Sequence, residues 1–152
     1  MSMRTYGVET KGMIIELTDF QRLMNSNIKG IKEKGLLTDI ETDNEDLELS
    51  DLLEFDEIID FVDNINYATF IGEFNGYLDT DKAKERVYFG NRFGSGVDII
   101  LIELMRNNLF ESYKNRDEII EELKDDLSRV GIIVDNKYIE EHFGYINGSY
   151  YA

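Results

Sequence analysis

The chain has 152 residues, with 32 Asp and Glu against 16 Lys and Arg, so its formal net charge at pH 7 is −16. Because Lys and Arg supply most of the affinity for nucleic acids and for anionic membranes, this charge disfavours direct binding to either. Hydrophobic residues make up 42% of the chain and aromatic residues 12%, which excludes a disordered acidic tail and predicts a folded domain.

Two residue types that are rare or absent narrow the chemistry further. The chain has no Cys and a single His, His142, so disulfides, thiol nucleophiles and Cys- or His-rich metal sites are excluded, and no cofactor is predicted. No apolar run is long enough to span a bilayer, and the first residues lack the apolar core of a signal peptide. We therefore expect a cytoplasmic protein, in the host cytoplasm if a phage encodes it.

The N-terminal part of the chain predicts a strand followed by a helix. The apolar run Met13–Leu17 is typical of a short strand. Thr18 or Asp19 is a suitable N-cap for a helix from about Phe20 to Lys34, in which apolar residues recur at three- and four-residue steps. Gly35 is a suitable helix terminator.

Residues 35–66 form a highly acidic segment, predicted to be a loop followed by a helix. Between Gly35 and Asp81 there are fifteen Asp and Glu residues and no Lys or Arg, whereas the rest of the chain is close to charge balance. From Ser50 onwards the pattern is helical. The expected buried stripe is Leu53, Ile58 or Ile59, Val62 and Ile65, and the acids between its members are Asp51, Glu54, Glu57, Asp60 and Asp63.

The one-sided charge of this segment indicates a partner. A solvated helix normally mixes signs and gains a few tenths of a kcal/mol per Glu–Lys pair, yet this helix has no such pair. Carboxylates three or four residues apart on a helix are about 5–6 Å apart, a spacing comparable with that of successive phosphates along a nucleic-acid strand. We therefore expect a DNA-mimicking row that binds a basic protein. The predicted partner-binding residues are Asp43, Glu45, Asp46, Glu48, Asp51, Glu54, Glu57, Asp60, Asp63 and Phe93.

The middle of the chain changes to a strand pattern. Tyr67–Phe74 is rich in β-formers, and Asn75-Gly76 predicts a two-residue hairpin turn to a strand that begins with Tyr77–Leu78. A further strand is expected at Arg86–Phe89. The glycine-rich residues 90–96 then predict a flexible connector. The alternative is a binding loop that presents Arg92 and Phe93, because loops on a rigid scaffold often carry recognition residues.

The C-terminal third contains both helix and strand signals. Val97–Leu104 fits a buried strand or the start of a helix that runs to Tyr113, and we favour the helix because the apolar pattern continues without a breaker. Arg116–Val130 predicts a helix that Gly131 ends, and Asn147-Gly148 predicts a second hairpin turn. The fold class is therefore α+β. We expect one compact domain over residues 1–152, with several helices packed on a small, mostly antiparallel sheet.

Catalytic motifs do not stand out. Asp135, His142 and Ser149 could in principle form a hydrolytic trio, but Ser149 lacks a nucleophile-elbow context. The alternating acids from Asp39 onwards resemble a calcium loop, yet its sixth residue is Asn44 rather than Gly and its twelfth is Ser50 rather than Glu. No enzyme activity is therefore predicted.

The leading interpretation is an acidic inhibitor that occludes the basic channel of a nuclease or another nucleic-acid-binding protein. In small size, strong acidity and lack of cysteine, the chain resembles phage counter-defence proteins such as anti-CRISPR and anti-restriction inhibitors, a resemblance of composition that rests on no motif. An immunity protein or antitoxin against a basic nuclease toxin is the first alternative. A carboxylate–metal enzyme is the second, and the third is a structural or assembly protein whose charge serves only solubility.

Overall fold

Five antiparallel strands and five helices account for most of the residues whose structure is described. The structure is a computed structural model that describes residues 4–37, 55–80, 84–91, 95–104 and 115–151. In chain order the elements are β1 (Thr5–Glu16), α1 (Leu17–Ser26), α2 (Ile28–Glu33), α3 (Phe55–Val62), β2 (Ala68–Thr80), β3 (Arg86–Phe89), β4 (Val97–Glu103), α4 (Arg116–Ser128), α5 (Asn136–His142) and β5 (Phe143–Tyr151).

The sheet closes on itself. Its strand order is β3-β2-β4-β1-β5, and β2 also pairs with β5, so β2, β4, β1 and β5 form a ring. Closure depends on two long strands that each change partner along their length. Residues 5–13 of β1 pair with β5 and residues 12–16 pair with β4. Residues 68–74 of β2 pair with β4, whereas residues 75–80 pair with β5.

A β-bulge in β2 lies where that strand changes partner. The register with β4 shifts between Ile71 and Phe74, and Glu73 within the shift has a positive φ of 53°. The Glu73 backbone N–H donates a hydrogen bond to the Asp98 carboxylate at 3.1 Å. Bulges bend a strand and increase its twist, which is what a small closed sheet requires.

The two faces of the ring carry two separate hydrophobic clusters. Because successive side chains of a strand point to opposite faces, Ile99 and Leu101 of β4 join the inner cluster, while Ile100 and Ile102 join the cluster under the helices. The inner cluster consists of Ile14, Ile71, Phe74, Leu78, Phe89, Ile99, Leu101 and Ile146. The fold is thus a single compact α+β domain, as the sequence predicts.

The prediction that Val97–Leu104 starts a helix is wrong. This segment is β4, which pairs with β1 on one side and with β2 on the other. Its residues from Ile99 to Ile102 are all buried. A strand that is covered on both faces reads as a continuous apolar run rather than an alternating one, so its periodicity resembles that of a buried helix.

Both predicted Asn-Gly hairpin turns are also wrong, because both dipeptides lie inside strands that continue through them. They face each other: Gly76 pairs with Gly148, and Tyr77 pairs with Asn147. A Cβ at Gly76 would lie 2.2 Å from the backbone oxygen of Asn147. These glycines therefore allow two backbones to approach closely at the point where the ring closes, a role that glycine has in strands as well as in turns.

The predicted helix Phe20–Lys34 is two helices, α1 and α2, separated at Asn27. The Asn27 side chain donates to the carbonyl of Leu23 at 2.8 Å and accepts the backbone N–H of Ile133 at 3.1 Å. These bonds compete with continued helical pairing. The helix start is Leu17 rather than Phe20, but the predicted end is confirmed, because Gly35 has a φ of 79°.

Other boundaries are confirmed or corrected in detail. The first strand starts at Thr5 rather than Met13, since its polar half pairs with β5. The strand Arg86–Phe89 and the helix from Arg116 are confirmed, and Gly131 follows that helix with a φ of 88°. The apolar run Ile132–Val134, which predicts a short strand or an apolar tether, is a connector without strand pairing.

Candidate interaction surfaces

Helix α3 presents an acidic surface to solvent. Ile58, Phe61 and Val62 are buried, with at most 3% of each side chain exposed, which fixes this side of the helix against the core. Glu57, Asp60 and the following Asp63 are exposed. Over the described part of the acidic segment, the predicted division into a buried stripe and an exposed acidic row is therefore confirmed.

The acidic row of α3 has no cationic counterpart in the described part of the chain. The ion pairs between described residues connect other positions, and none of them includes Glu57, Asp60 or Asp63. Uncompensated charges of one sign add their potentials over the surface around them. Within the described ranges, this stretch of surface is therefore a source of negative potential rather than part of an internal charge balance.

Seven of the ten predicted partner-binding residues lie outside the described residues. These are Asp43, Glu45, Asp46, Glu48, Asp51, Glu54 and Phe93. The calcium-like loop from Asp39 and the predicted loop residue Arg92 lie outside them as well.

A second acidic surface, which the sequence analysis did not single out, lies on α4. A groove with a volume of about 810 Å³ separates this helix from the start of β2. One wall carries Asn66 and the half-exposed Tyr67. The other wall carries Asp117, Glu118, Glu121, Glu122, Asp125, Asp126 and Arg129.

The acids of α4 are more compensated than those of α3. Lys124 Nζ lies 3.6 Å from Glu121 Oε1, and Arg129 Nη1 lies 3.4 Å from Asp126 Oδ1. Glu118 is part of a reciprocal cap, because its backbone N–H donates to the Asn115 side chain at 2.9 Å and its carboxylate accepts from that side chain at 3.1 Å. The carboxylates of this helix therefore serve partly local purposes.

Asp126 is largely enclosed, with 13% of its side chain exposed. Burial raises the pKa of the Asp126 carboxyl, while the Asn66 amide, which donates to it at 3.5 Å, and the nearby Arg129 partly oppose that rise. The neighbouring Glu122 and Asp125 raise it further.

The outer surface of four strands forms a third candidate surface, which we call the tyrosine face. Its side chains lie in two rows that cross β3, β2, β5 and β1. In the register of the sheet, the first row is Tyr88, Tyr77, Asn147 and Glu9, and the second row is Arg86, Asp79, Tyr145 and Lys11. None of these eight residues belongs to the cluster under the helices.

Charges on the tyrosine face are paired locally. The Arg86 guanidinium donates to both Asp79 oxygens, at 2.8 and 3.1 Å, and stacks 4.0 Å from the centre of the Tyr77 ring. The hydrogen bond from Arg86 lowers the pKa of Asp79. The Tyr145 hydroxyl donates to Glu9 at 2.6 Å, and this bond raises the pKa of Tyr145.

A groove of about 710 Å³ borders the tyrosine face. Asn75, Tyr77, Tyr88, Ser149 and Tyr151 contribute to its lining. Tyr88 is 70% exposed, the largest exposure of any large hydrophobic side chain in the described part of the chain. The sequence signal for this face was weak, because both Asn-Gly dipeptides indicated turns where the strands in fact continue.

The other sites considered from the sequence receive no geometric support. Asp135 caps α5 by accepting the backbone N–H of Tyr138 at 2.7 Å, and His142 Nδ1 lies 2.7 Å from the carbonyl of Tyr138. His142 is half-buried at the helix end, where its ring stacks on Tyr138. Ser149 lies within β5.

The same described ranges contain neither a metal-binding cluster nor a membrane-spanning helix. No three His, Asp or Glu side chains there converge in a way that could hold a metal ion. None of the helices in those ranges is long and apolar enough to cross a membrane. The carboxylate–metal enzyme remains an untested alternative.

Comparison of the chain with protein-family models, with curated proteins and with solved structures gave no match.

Proposed function

We propose that this protein is an acidic inhibitor that binds a basic nuclease or nucleic-acid-binding protein and occludes its nucleic-acid channel, in the manner of phage counter-defence proteins. The observation that carries the proposal is the exposed row Glu57, Asp60 and Asp63, which has no cationic counterpart in the described residues. The net charge of −16 also favours binding to a basic partner.

The mechanism follows from electrostatics. Complementary potentials steer a basic partner towards the acidic row and raise the association rate, and contacts excluded from water then slow dissociation. A carboxylate row on a rigid helix can occupy the positions of phosphates without the flexibility of a nucleic acid. Inhibition would therefore require no chemical step by this protein.

The test is affinity capture from a host lysate with the full chain as bait, with and without a competing DNA duplex. We expect at least one captured protein to be basic, to be displaced by the duplex, and to lose nucleic-acid binding or cleavage when the purified inhibitor is added. Binding should weaken steeply with salt, because exposed charges are screened over about 8 Å at physiological ionic strength.

Two results would argue against the proposal. Capture of partners that are not basic and that the duplex does not displace would exclude nucleic-acid mimicry. A captured protein whose affinity is unchanged by salt would show that the contact is mainly apolar. An immunity protein would give the same physical results, and a toxin gene adjacent to this one would distinguish it from a counter-defence protein.

A further inference from the structure

We propose that the tyrosine face is the surface through which two copies of this chain form a weak, twofold-symmetric dimer. The inference does not depend on the proposed function. It rests on the exposure, the charge and the size of this face.

Two exposed tyrosines lie on this face. Six large hydrophobic side chains are exposed in the described part of the chain, and strand alternation places Tyr88 and Tyr151 on the tyrosine face. Tyr6 and Val87 pair with Tyr150 and Leu78 and point to the opposite side of their strands. Contiguous apolar surface on a folded domain commonly marks an interaction site.

The balanced charge of the tyrosine face favours a second copy of the chain as its partner. Two molecules that each carry a charge of −16 repel strongly if acidic helices face each other. The tyrosine face instead carries Arg86 and Lys11 against Asp79 and Glu9, so its formal charges cancel. A twofold interface repeats each contact, and a face with equal numbers of opposite charges can be complementary to itself.

The size of the face sets the expected strength. By strand alternation the face and its groove present about a dozen outward side chains, whereas a standard interface uses about 20–30 residues on each side. We therefore expect a dissociation constant on the order of 10–100 μM rather than an obligate dimer.

The test is sedimentation equilibrium of the full chain from about 5 μM to about 1 mM, a range that brackets the expected dissociation constant. The average mass should rise from 17.7 kDa towards twice that value. Dimerisation should strengthen between about 0.05 and about 0.5 M salt, because screening reduces the repulsion between like-charged molecules. This dependence is opposite to that of the inhibitor–partner contact, so the two proposals fail separately.

Matched variants locate the interface. Tyr88→Glu should weaken dimerisation at least tenfold, since the dimer would then hold two new carboxylates within its interface. Ile133→Glu is the control, because Ile133 is 69% exposed, against 70% for Tyr88, and lies on the connector after α4. The change in net charge is the same, and dimerisation should be unaffected.

Three outcomes would overturn the inference: a monomer at the highest concentration in both salts, a dimer that Tyr88→Glu leaves unchanged, or equal weakening by both variants. If circular dichroism shows that Tyr88→Glu does not fold, Tyr151→Glu serves instead, since Tyr151 ends β5 and is 44% exposed.

Discussion

The acidic surface of α3 and the tyrosine face use ionisable residues in opposite ways. On α3 and directly after it, Glu57, Asp60 and Asp63 are exposed to solvent without a cationic counterpart in the described residues. On the tyrosine face, Arg86 binds Asp79 through two hydrogen bonds. Helical spacing thus places like charges side by side, whereas cross-strand register places opposite charges side by side.

Because of this difference, the acidic row can attract a partner over a long range, whereas the tyrosine face can bind only a partner that fits it closely. The electrostatic attraction of an uncompensated row of carboxylates extends over roughly a Debye length and weakens as salt is added. A locally paired face has little net field, so its contacts depend on shape and apolar area. The two surfaces are therefore suited to two different kinds of partner, a basic protein and a second copy of the chain.

The largest expected effect is the loss of partner binding when the charges of the acidic row are reversed. Changing Glu57, Asp60 and Asp63 together to Lys should weaken binding of the basic partner at least about 100-fold, since attraction is lost and repulsion gained at three positions, each on the order of 1 kcal/mol. Competition binding with the captured partner measures it.

The control for this variant is the triple change of Asp117, Glu121 and Asp125 to Lys on α4. All three are exposed, each set includes one first-turn acid, and the change in net charge is equal. We expect a smaller loss of binding, because Lys124 already compensates Glu121. Equal losses from both sets would show that total charge matters rather than a mimicking row.

The next effect concerns the backbone that supports the tyrosine face. Gly76→Ala should destabilise the fold by about 3 kcal/mol, since its Cβ would lie 2.2 Å from the Asn147 backbone oxygen and overpacking of this kind typically costs about 1–3 kcal/mol or more. Gly7→Ala on β1 is the control, because a Cβ there meets nothing within 4 Å. Urea unfolding of both variants measures the difference, and a stable Gly76→Ala protein would contradict the close approach of β2 and β5.

The smallest expected effect is a change in how the stability of the fold depends on pH, caused by Asp126 on α4. Burial raises the folded-state pKa of Asp126 above its unfolded value, so ionisation favours the unfolded state. The stability associated with this group is fully present below the unfolded pKa of about 3.9 and is lost as pH rises through the folded-state pKa. Asp126→Asn should therefore gain stability relative to the wild type as pH increases from about 3 to about 7.

Urea unfolding at several pH values checks this expectation. Asp125→Asn removes the same charge from an exposed neighbouring position and should show a smaller dependence on pH. A relative stability of Asp126→Asn that falls as pH rises would have the wrong sign for burial as the main cause.

Local sequence patterns were sufficient to predict where helices end and which side of α3 is buried and which is acidic. The three- and four-residue spacing of Ile58, Val62 and Ile65 identified the buried side of α3 and left its acids exposed. Gly35 and Gly131 marked helix ends correctly, since each has a positive φ that glycine adopts without strain. These features depend on neighbours within one turn of the chain, which a sequence displays directly.

Only the tertiary structure decided where the strands continue and which faces they share. Val97–Glu103 is a strand because β1 and β2 cover its two edges, and Asn75-Gly76 stays extended because Gly148 lies opposite Gly76. The tyrosine face exists only because the hairpin β2–β3 comes into register with strands from the two ends of the chain, β1 and β5. The sequence by itself determined the one-sided charge and the α+β class, whereas pairings between strands far apart in the chain depend on long-range contacts that local periodicity does not encode.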